Sequence, residues 1–258
     1  MLIMSINCCD KSWKEVCGDC NTPPVSDWIN NMTHAPEDPV LGHNAVLNGG
    51  FTCDNVVEEW QKWIFKIDNL TNPARQRPGN IYQTNPHSAN PVQLGVNNIY
   101  LTAFPPYFTK QENVQTLVIE DKTNSYILLP ILTSEASLQE YPELSIIDNC
   151  FDLCVQETQA TRRLELCVDG ISRIGCYVER NSILEISGVP ANNHMNIPSG
   201  RRLPGQKIQI VYNGFWALID VNLLKKGPIE GTGDHLITFE AEGPTYFVAG
   251  TLNINIVH

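Results

Sequence analysis

From about residue 97 to its end the chain is a succession of short β-rich runs separated by turn residues, and this pattern limits its folds more than any other feature. The runs are "NIYLTAF", "TLVIED", "SYILLPIL", "RLELCVDG", "SILEISG", "KIQIVYNG", "FWALIDVNLL", "HLITFEAE" and "TYFVAGTLNINIV". Several alternate with period two, the signature of a strand with one face buried. Leu164, Leu166 and Val168 point one way, as do Ile208, Ile210 and Tyr212, and as do His235, Ile237, Phe239 and Ala241. Runs at this spacing predict a mainly β fold: an antiparallel β-sandwich, jelly-roll-like, of about eight or nine strands with two or three short helices.

Three segments read as helices. "CDNVVEEWQKWIF" carries Val56, Trp60, Trp63 and Ile64 at helical spacing, with Asp54 as the expected N-cap. Residues 144–156 place Ile147, Phe151 and Val155 four apart, and "VSDWINNM" can form a short helix capped by Ser26. Residues 1–50 differ in composition, holding four of the nine cysteines and the loop signals "NTPP" and "APEDP". They are expected to be a Cys/Pro-rich N-terminal extension tied to the main domain by disulfides or contacts, with residues 51–258 forming the sandwich. The chain shows no internal repeats and no low-complexity tracts.

The formal charge of −11, from 28 acidic against 17 basic residues, disfavours nucleic acid, whose binding depends on phosphate neutralisation by Lys and Arg. No stretch approaches the about 18–20 apolar residues that span a bilayer, so no membrane span is expected. Neutral carbohydrate, cations, self-association or another protein suit the charge better. "MLIMSINCCDKSW" lacks the basic and apolar blocks of a secretory signal.

The nine cysteines, Cys8, Cys9, Cys17, Cys20, Cys53, Cys150, Cys154, Cys167 and Cys176, all rank as disulfide candidates. Their odd number leaves at least one thiol free or available for pairing between chains. Cys17 and Cys20 form a C-x-x-C behind the vicinal Cys8 and Cys9, a weak zinc candidate because a vicinal pair fits poorly on one tetrahedral ion. No other cofactor is expected. His34 and His43 share a loop region with Glu37 and Asp38, which would suit an N/O metal site, although solvated loop histidines are the commoner case. Asn31-Met-Thr33 and Asn69-Leu-Thr71 are N-glycosylation sequons. There is no G-x-S-x-G elbow, Walker A loop or H-E-x-x-H pair, so no catalytic residue is assigned.

Several motifs occur in an order that resembles a family of uncharacterised, often exported microbial proteins. These are the tryptophan-rich helix and NP-containing loop of "EEWQKWIFKIDNLTNPARQRPGNIYQ", the segment "TLVIEDKTNSYILLPILTSEAS", the V-D-G turn of "LELCVDGI", and the ending "YNGFWALIDVNLLKKGPIEGTGDHLITFEAEG" with "LNIN". The likeness covers about residues 55–257. It departs where "GTG" replaces the family's P-G, where Thr238 stands in place of a second histidine, and in lacking the export signal. The resemblance, with the cysteine content, implies an exported or extracellular protein, and it singles out Glu135, Trp216 and His235 as positions to test. Packing and strand-end hydrogen bonds are the simpler role for all three.

The sequence therefore leads to a non-catalytic binding or structural protein, self-assembling or disulfide-linked. The alternatives are a metal-dependent or carboxylate-based hydrolase acting on a sugar or small ester, and a disulfide-hardened inclusion protein or toxin.

Overall fold

The computed structural model describes residues 24–30, 34–68, 72, 91–104, 114–120, 123–144, 147–193, 197–224, 235–243 and 247–256. In chain order the elements are α1 (Val25–Ile29), β1 (Val40–Leu41), α2 (Cys53–Lys66), β2 (Val92–Leu94), β3 (Asn97–Leu101), β4 (Val114–Ile119), β5 (Ser125–Ser137), α3 (Ile147–Gln159), β6 (Arg163–Val168), β7 (Ile171–Ser172), β8 (Cys176–Ile186), β9 (Ile208–Asp220), β10 (His235–Glu242) and β11 (Phe247–Ile256). Among the described residues they build two stacked sheets and three α-helices, a mainly β sandwich. One sheet runs β1-β9-β5-β3-β2, with β8 also on β9; the other runs β4-β11-β10-β6-β7. No described helix is long and apolar enough to cross a membrane.

Most strand pairs are antiparallel, as expected of the sandwich, but both sheets are mixed. β3 pairs with β5 in parallel, and β11 pairs with β4 in parallel. A parallel pair cannot be closed by a tight hairpin and needs a crossover. Here β4, which lies between β3 and β5 in the chain, belongs to the other sheet, so the chain leaves one sheet and returns in the same direction.

The main core lies between the sheets. Ile127, Leu129 and Ile131 of β5 and Phe215, Ala217 and Ile219 of β9 meet Leu164, Leu166, Ile237, Phe239, Leu252 and Ile254 of the facing sheet. The first sheet is buried on its other face too, beneath α2, where Val56, Val57, Trp60 and Ile64 pack on Leu128, Ile210, Trp216 and Leu218. A strand covered on both faces loses its alternation and reads as a continuous apolar run, and β9 is buried at every position from Val211 to Ile219.

"KIQIVYNG" and "FWALIDVNLL" thus belong to one strand rather than two. Gly214 in its middle is not a turn. A Cβ there would lie 2.5 Å from the Leu132 carbonyl oxygen, where β5 bulges between Pro130 and Leu132. The bulge accommodates a proline inside a central strand, and the glycine lets the two backbones close on it.

The helices differ from expectation in detail. α2 begins two residues earlier than Asp54 would cap, with Thr52 as N-cap: Asn55 Oδ1 accepts from both the Thr52 N–H and the Thr52 hydroxyl. α1 starts after Pro24 rather than Ser26 and has no side-chain cap. In α3 the buried stripe is Cys150, Cys154 and Thr158, flanked by half-buried Phe151 and Val155. This helix covers the part of β5 and β9 that runs past the facing sheet, packing on Ala136 and Val211.

From Pro24 onward the N-terminal segment is part of the sandwich. Trp28 is fully buried in the main core, edge-on to Phe215 at 6.2 Å, and β1 adds to β9 beside Leu218 and Ile219.

Candidate functional site

Glu135 and Trp216 share the face of the first sheet that α2 covers. Glu135 pairs across the sheet with Tyr212, and Tyr212 with Arg180, so the three form a row on one face. From α2, Gln61 Nε2 donates to Glu135 Oε1 at 3.2 Å, and Glu58 pairs with Arg180. Burial pushes the Tyr212 phenol well above its ordinary value, which keeps it neutral. Trp216 is fully buried, with Trp60 edge-on at 4.9 Å, and Trp60 Nε1 donates to the Thr102 carbonyl at 2.6 Å. This row fastens α2 to the sheet and leaves no room for a substrate at Trp216.

His235 lies in the other sheet. It opens β10 on the inward face shared by Ile237, Phe239 and Ala241, and is 3% exposed. Its Nδ1 is 2.8 Å from Asp169 Oδ2, while Asp169 Oδ1 accepts from the Leu236 N–H at 2.9 Å. Asp169 (φ 51°) and Gly170 (φ 76°) form the two-residue turn joining β6 to β7, both in the left-handed region that such tight hairpins require. The V-D-G motif is therefore a turn whose carboxylate also holds the start of β10. The first sheet separates His235 from the side chain of Trp216, so the three residues do not form one site.

An open concavity lies elsewhere among the described residues, in the loop that carries β1. A cleft of 280 Å³ is lined by His34, Ala35, Pro36, Asp38, Val40, Leu41, Gly42, His43, Asn44 and Ala45. Asp38 organises its floor: Oδ1 accepts from the Val40 N–H at 2.9 Å and Oδ2 from Arg173 at 3.0 Å. Val40 pairs with the first sheet, and Arg173 follows β7 of the second, so Asp38 ties the loop to both sheets. Burial alone would raise the Asp38 carboxyl. The facing His34 imidazole, the Val40 N–H and the Arg173 guanidinium outweigh burial and hold it below its ordinary 3.8.

His34 Nδ1 is 3.8 Å from Asp38 Oδ2, and its side chain is 10% exposed. Its Nε2 is shielded from solvent and has no hydrogen-bond partner, while His43 Nδ1, also without a hydrogen bond, faces the Asp54 carboxylate at 3.9 Å. A Cβ at Gly42 would come within 2.8 Å of the His34 ring and push it aside. The sequence picked out His34, His43 and Asp38 for their shared loop. What it could not show is that the Nε2 of His34 is buried there without a hydrogen-bond partner.

The described cysteines, Cys53, Cys150, Cys154, Cys167 and Cys176, are all buried, and none is drawn bonded to another in the structure. Burial drives the Cys154 thiol up to about 12, which makes it a packing group rather than a nucleophile. Among the described residues no three His, Cys, Asp or Glu side chains are grouped to hold a metal ion. Cys8, Cys9, Cys17 and Cys20, the zinc candidates, and both sequons lie outside the described residues. Comparison of the chain with protein-family models, with curated proteins and with solved structures finds no match.

Proposed function

We propose that the protein is a non-catalytic β-sandwich that binds a small, neutral, hydroxyl-bearing ligand of about monosaccharide size in the His34–Ala45 cleft. The observation that carries this reading is His34 Nε2, a solvent-shielded nitrogen without a hydrogen-bond partner in a residue that lines the cleft, with His43 beside it facing Asp54. A buried polar atom left unpaired costs about 1–3 kcal/mol, so it calls for a partner. A hydroxyl both donates and accepts, and so serves an imidazole nitrogen in either tautomer. Small apolar groups on Ala35, Pro36, Val40 and Ala45 suit the carbon face of such a ligand, and the net charge of −11 works against an anionic one.

Calorimetric titration with a panel of neutral monosaccharides tests the reading. It expects saturable binding of at least one sugar, weakened tenfold or more in His34→Ala and retained in Cys167→Ala. Absence of binding across the panel, or binding indifferent to His34, contradicts it. Turnover of a glycoside or ester that depends on His34 would replace it with the hydrolase alternative.

A further inference from the structure

We infer that Cys53 and Cys176 are the two ends of a disulfide that staples α2 to β8. Their sulfurs lie 2.7 Å apart, and both side chains are fully buried. A disulfide bond is about 2.05 Å long, and the gap remaining between these atoms is a fraction of an ångström. Cys53 opens α2, fixed by its capping box, and Cys176 opens β8, fixed by its pairing with Trp216. Both ends are thus held by backbone structure that does not depend on the bond. The two residues are 123 positions apart in the chain, so the link closes a very long loop.

Formation is a two-electron oxidation with a small-molecule disulfide, such as oxidised glutathione, as oxidant. One cysteine thiolate attacks the oxidant's S–S bond, giving a mixed disulfide and releasing one thiol. The second cysteine thiolate displaces the remaining oxidant sulfur as a thiol. Two electrons pass to the oxidant, whose two sulfurs leave as thiols with the two cysteine protons. In the folded protein the neighbouring Cys176 and burial push the Cys53 thiol well above its ordinary value. Exchange depends on the thiolate, so the bond forms before α2 seats on the sheet, and the same burial then protects it from reductants.

The test refolds the fully reduced, unfolded chain in buffer with or without oxidised glutathione. The product is unfolded, its free thiols are alkylated, and its peptides are mapped without reduction. The expected result is a peptide pair joining Cys53 to Cys176 that appears only with the oxidant. The native oxidised protein should keep this link in mild reductant and lose it once denatured. The oxidant should also raise the melting temperature by about 10 °C, a gain absent in Cys176→Ala. Recovery of Cys53 and Cys176 as alkylated thiols after oxidative refolding, or joined mainly to other cysteines, overturns the inference.

Discussion

Asp169 Oδ2 lies 2.8 Å from His235 Nδ1, and the other oxygen of the same carboxylate accepts from the Leu236 N–H. One turn residue therefore fixes both the β6–β7 hairpin and the entry to β10. Asp169→Ala removes both acceptors and puts alanine in a left-handed conformation, so it should destabilise the fold by about 2–3 kcal/mol. Asp169→Asn keeps an acceptor and tolerates the backbone, so it should cost less. Chemical denaturation of the two variants gives the comparison; equal losses would remove the carboxylate's double role.

Trp28 belongs to the main core. Its ring reaches the glycine before β8: a Cβ on Gly175 would lie 1.9 Å from the Trp216 carbonyl oxygen and 2.7 Å from the Trp28 ring. Trp28→Ala should cost about 3–5 kcal/mol, and Gly175→Ala at least about 1–3 kcal/mol from overpacking. An unchanged melting temperature in Trp28→Ala would show that the N-terminal segment does not contribute to the sandwich.

Asp38 and Glu58 both have folded-state values below their ordinary 3.8 and 4.5. At Glu58, burial is outweighed by Lys62 and Arg180. A depressed carboxyl adds stability that is complete above the unfolded value and is lost as pH falls through the folded one. Stability should therefore be insensitive to these groups above about pH 5 and decline below about pH 4. Asp38→Asn should flatten part of that decline. A denaturation series from acid to neutral pH checks the slope.

The bulge in β5 and Gly214 in β9 act together. Gly214→Ala sets a Cβ against the backbone of Leu132 and Thr133, and should destabilise by about 1–3 kcal/mol or more. A neutral result in thermal melts would mean that the bulge yields.

Much of the sandwich was legible because alternation survives where one face meets the core. β6 and β10 follow their sequence pattern closely, and the V-D-G turn announced its hairpin. β9 was cut in two because α2 buries its second face, which erases the period, and because Gly214 resembles a turn. The parallel pairs were invisible, since strand neighbours distant in the chain leave no local mark. Glu135, Trp216 and His235 stood out as motif residues, yet they are packing and hydrogen-bonding positions on opposite sides of a sheet. The cleft arises from an irregular loop, where periodicity carries no information. Only His34, Asp38 and His43 hinted at it.

The measurement that bears most directly on the central claim is the ¹⁵N spectrum of the histidine imidazoles during titration with neutral sugars. The Asp38 carboxylate faces His34 Nδ1 at 3.8 Å, which favours the tautomer that carries its proton on that nitrogen and keeps Nε2 as an acceptor. The account predicts an unprotonated Nε2 signal for His34 that moves as a ligand hydroxyl donates to it, with a companion shift at His43 and none at His235. A His34 protonated on Nε2, or imidazole signals that no sugar perturbs, would contradict it.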